Sequence, residues 1–180
     1  MEWQQLLLDG YGRVLEALEL ALKDMGVEDL DRQPRSDCNS MGWLAWHLTR
    51  VQDAHIADLM GEEQLWTGDG WCSRFGRPGD PTDIGWGHSP EDVAAFRSPD
   101  VGTLLEYHRA VLERTRGYIG RLSPADLDRE LNEPWFQPPP TVGVRLVSVL
   151  SDDLQHAGQI AYVRGLLKGR GWLEASASIG

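Results

Sequence analysis

The chain carries only two cysteines, Cys38 and Cys72. That is too few for a disulfide framework, and too few to make a thiolate metal site on their own. It has no apolar run of about 18 residues, so no helical membrane span is expected. The opening residues, Met1-Glu2-Trp3-Gln4-Gln5, lack the basic start and apolar stretch of a signal peptide, which predicts a cytoplasmic protein. Basic residues are scarce as well: 17 Lys and Arg stand against 28 Asp and Glu, a net charge of −11. No Lys/Arg cluster interrupts the acidic balance, so neither nucleic acid nor a membrane surface is an expected partner. Internal repeats and low-complexity tracts are missing too.

What is present suits a single domain spanning residues 1–180, long enough to bury a substantial core. Hydrophobic residues make up 41% of it, and there are eight tryptophans. Tryptophan brings a large apolar area and one N–H donor. Several of these are expected to wall a pocket or a subunit contact as well as fill the core.

Apolar residues recur on a helical period at Leu7, Tyr11, Val14, Leu15, Leu18 and Leu22, predicting a first helix from Trp3 to Asp24. Ser40 is a good N-cap for a second helix, Met41 to Met60, which Gly61 ends. The stretch from Gly61 to Pro99 is rich in Gly, Pro and Asp and carries Trp66, Trp71 and Trp86. A connection this long is functional or ordered by small elements of its own, and Ser89-Pro90-Glu91-Asp92 reads as the start of one. Ser98 with Pro99 predicts a third helix running to Leu122. Ser123-Pro124-Ala125-Asp126 starts a short turn, and Pro138-Pro139-Pro140 forces extended chain. Thr141 caps a fourth helix, Val142 to Lys168, stopped by Gly169 and Gly171. No segment reads as a strand. The expected fold is therefore all-α: an antiparallel four-helix bundle, with a long, partly helical connection between the second and third helices that leaves room for a non-sequential order.

The chemistry concentrates in two segments. In Ser151-Asp152-Asp153-Leu154-Gln155-His156, Asp152 and His156 stand four apart and project from one helical face. Their neighbours Val149, Ile160 and Val163 are apolar. A carboxylate and an imidazole set there need a reason: an ion pair between them, or a shared metal. His47 sits in a similar setting, in Gly42-Trp43-Leu44-Ala45-Trp46-His47-Leu48. Bundles build metal sites from facing helices, and one His plus an Asp/His pair makes three N/O ligands with an open position. Zinc heads the candidates for such a set, and nickel, iron or manganese also fit it.

These two segments, the second extended through Asp153-Leu154-Gln155-His156-Ala157-Gly158-Gln159-Ile160-Ala161-Tyr162-Val163-Arg164-Gly165, resemble the DinB-like (YfiT-like) metal-binding bundle superfamily. The likeness is greatest to its branch of thiol-dependent S-transferases that use mycothiol. The resemblance places the family's first ligand on His47 and its last on His156. The middle ligand is commonly a His four residues before the last. Here it is Asp152, and carboxylates at that place occur in the family, including the mycothiol-dependent maleylpyruvate isomerases. Those isomerases carry a further C-terminal domain, and this chain's end soon after the fourth helix argues against that activity. The resemblance implies conjugation of a low-molecular-weight thiol, mycothiol, to small electrophiles in detoxification or stress response, by a homodimer. A metal-dependent hydrolase and a non-catalytic metal-binding stress or dimerisation module are the competing classes.

Other residues have weaker claims. Arg50 and Arg164 are candidates to hold a sugar or carboxylate of the cofactor, with surface or interface pairing as the alternative. His55, two turns past His47 but rotated by about 80°, is expected outside the site. His88 reads as a loop residue, His108 as a packed or paired one, and Asp153 as facing solvent or a residue behind the ligands. Gln159, one turn after His156, is a candidate to support it from behind. The segment from Leu65 to Trp86 is a candidate wall for an apolar electrophile.

Overall fold

A computed structural model describes residues 1–169. Among them it has eight α-helices and no strand: α1 (Trp3–Leu22), α2 (Val27–Asp31), α3 (Met41–Met60), α4 (Leu65–Gly68), α5 (Trp71–Arg74), α6 (Pro90–Ala95), α7 (Val101–Ile119) and α8 (Val142–Lys168). A 3₁₀ turn, Pro124–Asp128, lies between the last two. No helix among the described residues is long and apolar enough to cross a membrane.

The caps explain the boundaries. Ser40 accepts a hydrogen bond from Trp43 N at the start of α3, and Gly61 closes that helix in the left-handed conformation. Thr141 caps α8 by accepting from Val144 N. The start of α7 differs from the expectation. Asp100, not Ser98, is its cap and accepts from Thr103 N at 2.9 Å. Ser98 is turned inward instead: its N–H donates to Asp31 at 2.8 Å, and its hydroxyl packs where a side chain at Gly42 would stand. Gly42 thus leaves room for the Ser98 side chain to pack against the start of α3.

The four long helices form a ring in which α1 and α3 each touch both α7 and α8. Cross-helix bonds fix the directions. Tyr11 bonds Leu146 O and Arg164 bonds Ala21 O, so α1 and α8 run parallel. Thr49 pairs with His108 and Gln52 with Thr115, so α3 and α7 run parallel too. His47 meets His156 and His55 meets Arg145, which makes α3 and α8 antiparallel. The expected alternation of directions fails at the two parallel pairs. Residues 61–100 are long enough to return the chain to the end of the bundle where α3 began.

That return is pinned by a buried charge cluster. Asp53 accepts from the N–H groups of Leu65 and Trp66 at the start of α4 and from the Tyr107 hydroxyl at 2.7 Å. Arg50, fully buried, pairs with Asp53 and donates to Gln64, Pro81 O and Asp83 O. Its guanidinium also lies over the Trp66 ring. A buried ion pair of this kind holds only because every donor and acceptor finds a partner.

Candidate metal centre

α3 and α8 lie side by side, and each brings its polar residues to the shared groove. His47, Asp152 and His156 meet there, with one ligand atom of each within 4.8 Å of the others. The His47 ring stacks on Trp43, at 4.7 Å between centroids and 17° between planes, and stands edge-on to His156.

The hydrogen bonds decide which atoms are offered. His47 Nδ1 meets Ile84 O. A carbonyl only accepts, so Nδ1 carries the proton and the lone pair sits on Nε2. His156 Nδ1 donates to Gln159 Oε1 at 2.8 Å, and its Nε2 lies 3.5 Å from Asp152 Oδ1. Both imidazoles are therefore held with Nε2 available, the arrangement that second partners impose on metal-ligating histidines. Asp152 Oδ2 is buried without a hydrogen-bond partner among the described residues. Two fixed imidazole nitrogens and an orphaned carboxylate oxygen fit a divalent cation with a position left open.

The electrostatics agree. Burial holds His47 below its ordinary pKa, against the opposing pull of Ile84 O. Burial also opposes charge at Asp152 and His156. Their mutual hydrogen bond outweighs it, lowering the acid and raising the base. Without a cation, the pair favours a protonated His156 against an ionised Asp152, so a cation entering the site displaces a proton.

The Ile84 contact depends on a close approach that the sequence alone does not reveal. Gly85 has φ +86, and a Cβ there would fall 2.8 Å from Trp43, 2.9 Å from His47 Nδ1 and 3.0 Å from Trp46. Only glycine lets the loop come down on His47. A relay fixes Trp43 in turn. Its Nε1–H donates to His88 Nδ1 at 3.1 Å, and His88 Nε2–H donates to Asp83, which pairs with Arg77 at 2.7 Å. His88, read from sequence as a loop residue, thus buttresses the wall behind His47.

Beside the three ligand atoms opens a cleft of about 860 Å³. Its walls are mainly apolar, from Val51, Ile84, Trp86, Val144, Val147 and Val149. Trp86 is 88% exposed at the rim. It is the one tryptophan of the Leu65–Trp86 segment that lines the cleft. Trp66 and Trp71 are buried against Tyr107 in the core.

Several other expectations need correction. Arg50 does not face the cleft; its guanidinium is buried and engaged by the charge cluster described above. Arg164 is also buried, donating to Ala21 O and Lys23 O at the end of α1. Neither position suits the holding of a cofactor. Asp153 is fully buried instead of facing solvent, and burial followed by Asp152 pushes its carboxyl well above the usual range. His55 lines the same cleft as His47. Its 80° rotation is shared out through Val51, one turn from each, because the groove follows the oblique ridge of residues four apart.

The family model of the DinB superfamily matches residues 11–160. The chain is 30% identical to a conserved protein from Enterococcus faecalis with a crystal structure. The two folds superpose with a TM-score of 0.87 over 94% of this chain and 99% of the other. No curated protein matches the chain. The chain belongs to the DinB superfamily.

Proposed function

We propose that this protein is a metal-dependent S-transferase that joins a low-molecular-weight thiol to small electrophiles. The observation that carries the reading is the convergence of His47, Asp152 and His156, their ligand atoms already oriented, beside a mainly apolar cleft. A divalent cation held by these residues, zinc first among the candidates, supplies the Lewis acidity that turns a thiol of pKa about 8.5 into a thiolate at neutral pH.

The remaining work falls to the chain. Ile84 O and Gln159 keep both imidazoles in the tautomer that donates through Nε2. Val51 and Val149 offer an apolar electrophile a surface beside the sulfur, with Trp86 at the rim. The sulfur's electron pair forms the S–C bond while the C–X bond of a halide breaks and its pair departs with X, or while one C–O bond of an epoxide breaks and its pair stays on the oxygen, which remains on the neighbouring carbon and takes a proton from solvent. The thiol proton leaves to solvent. No side chain is needed as nucleophile, which suits a cleft whose lining contains no cysteine. The resemblance to mycothiol-dependent enzymes makes mycothiol the first thiol to try, and a role in detoxification or stress response follows from the same chemistry.

The test joins elemental analysis with calorimetry, on the wild type and on His156→Ala. The expected result is near-stoichiometric metal in the wild type, loss of it in the variant, and binding of mycothiol or glutathione only when metal is loaded. Metal without thiol binding would overturn the transferase and favour a hydrolase or a non-catalytic module. No metal in either protein would overturn the metal centre itself.

A further inference from the structure

The end of the cleft away from His47 holds a polar group that the metal centre does not use. His55 lies about 12 Å beyond His47 along the axis of α3, and it lines the same cleft among valines. It touches Arg145, whose Nη1 sits 3.4 Å from both ring nitrogens. A guanidinium only donates, so it can serve the imidazole's lone pair but cannot accept from its N–H. Arg145 is itself neutralised, with Nη2 2.5 Å from both carboxylate oxygens of Glu133. Burial, and then the charge of Arg145, hold His55 below its ordinary pKa and hence neutral at neutral pH. The ring N–H therefore has no acceptor among the described residues, and the side chain that carries it lines the cleft. Ser148, one turn before Asp152 on α8, lines the cleft as well.

We infer that His55 is a specificity residue: its ring N–H receives a neutral oxygen, of a hydroxyl, ether or carbonyl, carried by the thiol at the end remote from its sulfur. The local charge selects a neutral group. The Arg145 cation is already matched by Glu133, so a carboxylate would find no free positive charge. The apolar walls between the two ends accept the methylenes or ring that join sulfur to oxygen. This rests on the S-transferase reading given above, because it takes the sulfur to sit at the three-ligand end.

The test uses cobalt-loaded protein and two thiols of equal length, 6-mercapto-1-hexanol and heptane-1-thiol. Each is titrated by the sulfur-to-cobalt charge-transfer band, so no turnover is needed. The wild type, His55→Leu and His55→Gln are compared, with metal content and melting temperature checked for each. In His55→Leu the affinity ratio should shift about fivefold or more toward the alkyl thiol, the worth of roughly one hydrogen bond. His55→Gln, which keeps an N–H donor, should retain much of the wild-type ratio. An unchanged ratio in folded, cobalt-loaded His55→Leu would overturn the role of His55 and leave the transferase reading standing. No charge-transfer band with either thiol in the wild type would overturn the thiol reading and this inference with it.

Discussion

Replacing Gly85 with Ala isolates the part of the metal centre that is built by the loop. Two costs follow from its geometry. At φ +86 any Cβ is strained, at about 1 kcal/mol relative to glycine. The new methyl would also lie 2.8–3.0 Å from Trp43, His47 and Trp46, and overpacking of this kind costs about 1–3 kcal/mol if the neighbours stay in place. The total, roughly 2–4 kcal/mol, exceeds what the single hydrogen bond from His47 to Ile84 O returns, about 1 kcal/mol. The loop should therefore lift, freeing the His47 ring. Loss of such a supporting bond lowers metal affinity about 10–100-fold. Gly87 is the control. Its φ is +79 but a Cβ there meets nothing within 4 Å, so Gly87→Ala should cost only the backbone strain and leave metal affinity intact. Zinc affinity by competition with a chromophoric chelator, and melting of the metal-free proteins, measure the two effects separately. Equal zinc affinities for Gly85→Ala, Gly87→Ala and wild type would refute the claim that the loop orients His47.

Three further outcomes are expected. Gln159→Leu removes the acceptor of His156 Nδ1 and should weaken zinc binding about tenfold with little change in melting of the metal-free protein; an unchanged affinity would show that the tautomer is set some other way. Asp53→Asn leaves Arg50 buried with a neutral partner and should cost about 3 kcal/mol in chemical denaturation, while a loss under 1 kcal/mol would mean that the cluster relaxes freely. His108 is buried, gives its Nδ1 proton to Thr49 and has no partner for Nε2 among the described residues; burial pushes its pKa down to about 4. The unfolded chain takes up that proton first, near pH 6.5, so stability is full above that value. It falls by about 3 kcal/mol as the pH drops toward 4. His108→Gln should flatten this stretch of the stability profile, and parallel profiles for the two proteins would contradict it.

Much of this was legible in the sequence, for local reasons. The apolar period gives α1, and nearest-neighbour capping chemistry at Ser40 and Thr141 gives the starts of α3 and α8. Asp152 and His156 declare themselves because spacing within one helix fixes the shared face. The structure brings His47 to them. The rest depends on contacts between distant segments. Ile84 and Gly85 look like ordinary loop residues until the loop lies against α3. Arg50 looks like a surface cation until Asp53, Gln64 and two carbonyls surround it. The direction of α7 could not be read from helical periodicity, since an amphipathic stripe is the same whichever way the helix runs. For His55 the angle about the helix axis was right, but the groove it enters does not run along that axis.

The ligands come from α3 and α8, about a hundred residues apart in the chain. During synthesis His47 emerges long before Asp152 and His156, and the nascent chain then offers at most one strong donor of the set. The three residues come together only after α8 has docked against α3, so a cation would meet a folded protein with its imidazoles already turned. A cation bound there would tie α3 to α8 across about a hundred residues of chain, and its loss would free the groove without unravelling either helix. Metal supply could then set how tightly α3 and α8 are held together, and with that how long the folded chain persists in the cell.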